Sequence, residues 1–283
     1  MDVSRSTDDG EAARWKGPGG NAWVDLQAVL DEMFRPFEDL LVDAVPAGPA
    51  GQVLDVGCGT GGVTLAVARR LGPAGRCVGV DISEPVITAA RARAGREGAP
   101  AFFIRADAQD HAFEPAVFDA VISRFGVMFF DDSVRAFANL RRAATDEARL
   151  RFITWRDPAE NPFMTTAERA AAPLLPDLPT RRPDGPGQFA FADPDRIRGI
   201  LADSGWSGVD IQPVDVACAL PEGELVRYFT RLGPVGLALR ELDEQTRAQV
   251  VETVRAAFDT FVHGTEVRFT AACWLVDARA STA

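Results

Sequence analysis

The chain has 283 residues, 47% of them hydrophobic and 25% charged, a makeup that can bury a sizeable core. Its net charge of −11 excludes the basic footprint of a nucleic-acid or anionic-lipid binder and favours a small-molecule partner. Cys58, Cys77, Cys218 and Cys273, with only His111 and His263 beside them, form neither a disulfide framework nor a metal-ligand spacing.

Residues 1–20 are polar and rich in glycine and proline, and they read as a mobile arm. No basic-then-apolar leader and no apolar run near the roughly 18 residues of a membrane span occur, so a cytoplasmic protein with reduced thiols is expected. Apolar residues then recur at helical spacing through "AWVDLQAVLDEMFRPFEDLLVDAVP", where Pro36 implies two short helices or one kinked helix. From residue 52 the pattern alternates: strand 52–56, helix 60–71, strand 77–81, helix 83–95, strand 101–105, strand 117–123, helix 132–144 and strand 148–155. Such alternation predicts βαβ units and a parallel sheet covered on both faces. The proline-dense stretch 156–191 reads as an insertion with one helix near 162–173. Helix 194–204, strand 208–215, helices within 222–262 and a last strand 266–277 complete the chain.

The stretch "VLDVGCGTGG", residues 53–62, joins the first strand to its helix through a glycine loop. That junction places backbone N–H groups and the positive end of a helix dipole at the carboxyl edge of the sheet, where ligands bind. Gly57, Gly59 and Gly62 also satisfy G-x-G-x-x-G, a pattern that alone is weak. Asp55 lies just before the loop, where a carboxylate suits a ligand ammonium better than a pyrophosphate. Asp81 ends the second strand, where an acid can accept both hydroxyls of a ribose. Asp107 follows the third strand, so three successive strands end near an aspartate at one edge.

These residues resemble the class I S-adenosylmethionine-dependent methyltransferases, nearest to the small-molecule enzymes around ubiquinone and menaquinone biosynthesis. The acid-x-Gly-x-Gly-x-Gly motif appears as Asp55, Gly57, Gly59 and Gly61, with Cys58 a small residue filling the loop. The resemblance implies a Rossmann-like seven-stranded sheet, mostly parallel with one antiparallel strand, and S-adenosylmethionine as the cofactor. It places the glycine loop beside the methionyl group, Asp81 on the ribose, Ile82 against the adenine, and Asp107 and Ala108 at the adenine edge. It also turns the loop after the fourth strand, starting at Ser123 and Arg124, towards the methionyl group. One departure is "ATDEARL", which replaces the usual Pro-Gly-Gly turn before the fifth strand and implies altered loop geometry. Trp23 and Gln27 share a helix face and either cap the cofactor or pack on the sheet.

The implied activity is methyl transfer by in-line displacement to a small, partly apolar metabolite, and orientation alone lowers such a barrier substantially. A general base is needed only if the acceptor loses a proton, and Asp157, Glu160 and His111 are the candidates. Arg124 and Arg156 follow adjacent strand ends and could orient an anionic acceptor. The chain divides into an arm (1–20), N-terminal helices with the cofactor-binding half (21–155), a cover insertion (156–191) and the C-terminal half of the same domain (192–283). The arm, the helices and the insertion together are expected to cover the acceptor site. A homodimer is left open. Two rivals remain, an NAD(P)-dependent oxidoreductase and a non-catalytic cofactor-binding protein of the same fold. Among oxidoreductases, the short-chain branch is excluded because the only tyrosine, Tyr228, and the only lysine, Lys16, cannot form Tyr-x-x-x-Lys.

Overall fold

A computed structural model describes residues 11–43, 45, 51–179 and 185–280. Five parallel strands form most of the sheet: β1 (Gln52–Val56), β2 (Arg76–Asp81), β3 (Ala101–Arg105), β4 (Phe118–Arg124) and β5 (Ala144–Trp155). They are followed by β6 (Ser207–Pro221), a two-residue β7 (Val262–His263) and β8 (Glu266–Arg279). The order is β3-β2-β1-β4-β5-β8-β6, with β7 paired to β8 alone. β8 is antiparallel to both of its neighbours, so the expected mostly parallel sheet with one reversed strand is present, and β7 is an eighth, short strand.

Alternate residues of β5 sort the two faces, because successive side chains of a strand point to opposite sides. Trp155 meets Phe34, and Arg151 donates to the Leu40 carbonyl at 3.4 Å. These contacts belong to the face covered by α3 (Gln27–Met33), α4 (Arg35–Val42) and α5 (Gly62–Leu71). Phe152 points the other way, onto Phe137 of α7 (Ser133–Ala143), beside which α9 (Pro194–Asp203) packs. A smaller apolar cluster, including Leu65, Ile87, Ala90 and Phe103, joins α5 to α6 (Glu84–Glu97) and the edge strand β3.

Several local expectations change. Residues 11–20, assigned to the arm, are helical within α1 (Glu11–Lys16) and α2 (Pro18–Asp25), whereas residues 1–10 lie outside the described residues. The N-terminal helices are separated by breaks at Leu26 and Phe34, and Pro36 opens α4 instead of kinking a helix, since a first-turn position needs no N–H donor. "ATDEARL" forms no turn: Ala144 is extended, and α7 runs directly into β5. β6 extends to Pro221 because β8 pairs with it over its whole length. The insertion holds α8 (Pro162–Ala171), and its residues 180–184 lie outside the described residues. The last helices are α10 (Leu225–Arg231), α11 (Gly233–Ala238) and α12 (Glu244–Ala257). Among the described residues no helix is long and apolar enough to cross a membrane.

Gly61 ends the loop with φ +84°, and a Cβ there would meet the Phe103 ring at 2.7 Å. Gly61→Ala should therefore destabilise the fold by about 2–4 kcal/mol, from left-handed strain plus overpacking. Denaturant unfolding measures this, and a loss below about 1 kcal/mol would mean that the ring yields freely.

Candidate active site

The carboxyl edge of β1 is built by close approach of two backbones. Gly57 has φ +67°, and a Cβ on it would lie 2.5 Å from the Cα of Gly126. The chain after β4 reaches that position because Phe125 adopts φ +64°, a conformation costly for a residue with a side chain. The Phe125 ring stacks on Trp155 at 4.6 Å, which helps to hold the turn. Ser123 pins the junction: its hydroxyl donates to the Val56 carbonyl at 2.7 Å and accepts from the Gly126 N–H at 3.1 Å.

Beside this junction opens one continuous cavity of about 1060 Å³, near the top of the range for a single drug-sized ligand. One half is walled by Asp55, Gly57, Cys58, Gly59, Asp81, Ile82, Asp107 and Ala108, eight of the residues expected at the cofactor, with Trp23 above them. The other half is aromatic and aliphatic, with Trp155, Phe163, Met164, Phe189, Tyr228 and Leu232 on its wall.

The acids are held in different ways. Asp81 accepts from the Gly59 N–H at 3.0 Å through one oxygen and from the Ser83 N–H at 2.9 Å through the other. Burial raises its pKa against these bonds. Each oxygen keeps a further lone pair, so the carboxylate can still accept from a vicinal diol. Asp107 accepts from the Gln109 N–H at 2.9 Å. Asp55 is buried and accepts from the Thr64 hydroxyl at 2.6 Å, and burial pushes its pKa up to about 6. The Cys58 thiol is pushed well up by burial, so it is a neutral filler of the loop.

The N-terminus of α5 faces two carboxylates. A Cβ on Gly62 would lie 3.1 Å from an Asp31 carboxylate oxygen and 3.5 Å from one of Glu38. Asp31 is paired with Arg93 at 2.6 Å, but two carboxylates against that helix end still reduce its attraction for a pyrophosphate, which a dinucleotide needs there. The glycine loop therefore suits a ligand without phosphates.

Three residues expected at the cofactor lie off the cavity wall. Gly61 packs against Phe103, Ser123 is spent on the backbone pin, and Gln27 donates to Asp31 at 3.2 Å. Of the candidate bases only Asp157 lines the cavity, its carboxylate accepting from the Ala159 N–H at 2.8 Å. Glu160 is bound to Arg156, which holds its pKa down, and it lies off the wall. His111 sits edge-on to Phe113 at 4.6 Å, also off the wall. Neither side chain reaches the cavity wall, whereas general-base transfer needs hydrogen-bond reach. Arg156 is likewise occupied, pairing with Asp215 at 2.9 Å and Glu160 and lying over the Trp274 ring, whereas Arg124 does face the cavity. Sequence reasoning missed the wall supplied by α10 and α11, including Tyr228, Leu232, Pro234 and Val235. The Leu-Gly-Pro stretch at 232–234 marks a bend there but not what it faces.

Asp55 ionises near 6 in the folded protein against 3.8 for the free group. The raised value means that its protonated form stabilises the fold fully below the unfolded pKa, and this contribution is lost as pH rises through about 6. Asp55→Asn should raise the thermal midpoint at about pH 8 by an amount corresponding to about 1–3 kcal/mol, with the gain gone below about pH 4. A lower midpoint at both pH values would show that the Thr64 bond outweighs the cost of burial.

Residues 53–147 match a methyltransferase domain family. Nocamycin O-methyltransferase of Saccharothrix syringae is 37% identical over 120 residues, 42% of this chain and 43% of that enzyme. Demethylmenaquinone methyltransferase of Renibacterium salmoninarum is 28% identical over 184 residues, 62% of this chain and 74% of that enzyme. Among solved structures, the YcgJ protein of Bacillus subtilis superposes with a TM-score of 0.59 at 16% identity, covering 88% of this chain and all of that one, which supports the fold. With the glycine loop, the strand-end acids and the reversed β8 in place, residues 53–147 form a methyltransferase domain within a sheet of the methyltransferase fold.

Proposed function

We propose that this enzyme methylates a small, partly apolar metabolite bound in the aromatic half of the cavity. The observation that carries this reading is the continuity of the cavity: the acid-and-glycine half and the aromatic half form a single space with no wall between them. The −11 charge disfavours a nucleic-acid acceptor, and relatives named for nocamycin and demethylmenaquinone methylation support a small-molecule one. Four free, buried cysteines fit a reducing cytoplasm.

When bound, S-adenosylmethionine supplies a methyl group already activated by its sulfonium. In this reading Asp81 accepts from the ribose hydroxyls, and Ile82, Asp107 and Ala108 surround the adenine. Gly57 and Gly59 let the backbone touch the ligand where a Cβ would intrude; a Cβ on Gly59 would lie 3.2 Å from the Trp23 indole nitrogen. The cover combines α1 and α2, through Trp15 and Trp23, with α8 and with α10–α11. Trp15 meets Trp23 edge-on at 5.8 Å and Phe129 at 5.2 Å, so the N-terminal helices are tied to both the loop and the far wall. This enclosure excludes water and orients the acceptor, which is most of what the reaction requires. Asp157 is one carboxylate on the wall that could accept a proton from a hydroxylated acceptor. Tyr228 remains protonated, because burial pushes its pKa upward, and acts as a donor.

Calorimetry with S-adenosylhomocysteine tests the cofactor site. Binding is expected, NADH should not bind, and the reverse result would overturn the reading. Asp81→Ala should weaken S-adenosylhomocysteine by about 1.5–3 kcal/mol through lost charge-assisted hydrogen bonds. An unchanged Kd in the folded variant would remove Asp81 from the ribose. With methyl-labelled cofactor, label is expected to transfer to members of a panel of phenols and hydroquinones. Transfer only to protein or nucleic acid would refute a small-molecule acceptor.

A further inference from the structure

The aromatic half of the cavity holds a single hydroxyl. Among the described residues on the wall Tyr228 alone carries this group, and it is the only tyrosine in the chain. It stands on α10, its ring 5.8 Å from that of Phe163 and tilted 33° to it. Phe163 is fixed in turn, stacked on Phe269 at 3.9 Å and edge-on to Phe258 at 5.2 Å and to Phe261 at 5.3 Å. Such packing leaves the phenol ring little freedom and sets the position of its oxygen.

The bond made by that oxygen is weak. Among the described residues the hydroxyl donates to the Met164 sulfur alone, at 3.6 Å, and a thioether is a poor acceptor. A phenol in apolar surroundings ordinarily finds a full hydrogen-bond partner, and burial keeps this one protonated and able to donate. Met164 lies on the same wall, on α8, and its unbranched side chain adapts readily to a new neighbour. The remaining surface selects for shape. Phe125 stacks on Trp155 at 4.6 Å with 12° between the planes, and Phe229 on Phe258 at 5.8 Å with 11°; all four rings border the cavity. Flat aromatic walls make their best contacts with a flat ring.

Resting on the acceptor site proposed above, we infer that Tyr228 selects the methyl acceptor: a flat aromatic or conjugated ring bearing a carbonyl or phenol oxygen, which takes the tyrosine's hydrogen bond from the Met164 sulfur. The sulfur is a placeholder, good enough to meet the hydroxyl without an acceptor and weak enough for an oxygen to displace. A hydrocarbon ring of the same shape gains nothing from the exchange, because it offers the hydroxyl only carbon.

The probes are 2-acetylnaphthalene, a flat ring with a carbonyl, and 2-ethylnaphthalene, the same ring without the oxygen. Each is titrated by calorimetry into the full chain alone and into its S-adenosylhomocysteine complex. Tyr228→Phe should weaken the ketone by about 3- to 10-fold, the range for one neutral hydrogen bond, and leave the hydrocarbon within about two-fold. Comparing the two proteins cancels the different cost of taking each probe out of water. Met164→Leu should bind the ketone at least as well as the wild type does. The carbonyl stretching band of the ketone bound to the wild type should lie below its position in hexane, and should return towards it in Tyr228→Phe. Failure of the wild type to bind either probe overturns the inference, as does an equal effect of Tyr228→Phe on both probes. A selective loss of the ketone in Met164→Leu also overturns it, since the sulfur would then set the preference. An unshifted carbonyl band in the wild type overturns it whether or not any variant folds. Failure of S-adenosylhomocysteine to bind would defeat the cofactor reading instead, and the titrations of the chain alone would still decide the role of Tyr228.

Discussion

The site depends on one contact, the approach of Gly57 to Gly126 with no side chain between them. A Cβ on either residue would fall 2.5–2.7 Å from the other strand's backbone, so β1 and β4 can end side by side only with glycine at both positions. The cost is carried next door, where Phe125 accepts a left-handed conformation and its ring is held by Trp155. Ser123 then ties the two strand ends with a pair of hydrogen bonds to the backbone. Because these groups are spent on one another, the loop presents Asp55 and bare backbone to the cavity and little else.

Charge gives the same edge its chemical character. Asp31 and Glu38 from the N-terminal helices sit against Gly62 at the start of α5 and oppose the dipole that would attract phosphate. Asp55 and Asp81 are both raised in pKa by burial, a desolvation cost that a ligand with a cationic or hydroxyl-rich end can offset. The sequence pattern G-x-G-x-x-G alone leaves a dinucleotide and an adenosyl sulfonium on equal terms. The carboxylates around the loop separate them.

The aromatic half is assembled from separate stretches of chain, among them the N-terminal helices, the loop after β4, the end of β5, the insertion and the α10–α11 pair. No one of these has a motif, and each is an ordinary apolar surface in isolation. They become a chamber because the strand order brings the ends of β4 and β5 next to β8 and β6. The helices that follow β6 are thereby carried over the same edge as the glycine loop.

Much of this protein was legible in its sequence because the relevant physics is local. Alternating apolar strands and amphipathic helices specify a doubly covered parallel sheet, and glycines beside an acid at a strand end specify where the backbone must meet a ligand. Asp55, Asp81 and Asp107 could be assigned to one edge from their strand-end positions alone, and the structure puts all three on the cavity wall. What the sequence could not settle depended on which distant groups consume one another. Gly61 belongs to Phe103, Ser123 to two backbone groups, Glu160 to Arg156 and Gln27 to Asp31, and each partner becomes known only when the chain has folded. Tertiary structure alone decided that Asp157 faces the cavity while His111 does not, and that Tyr228 joins the wall from more than 60 residues beyond Met164, whose sulfur its hydroxyl approaches at 3.6 Å. A hydrogen bond or a shared cavity between remote residues is a property of the packed sheet, and no pattern within either segment encodes it.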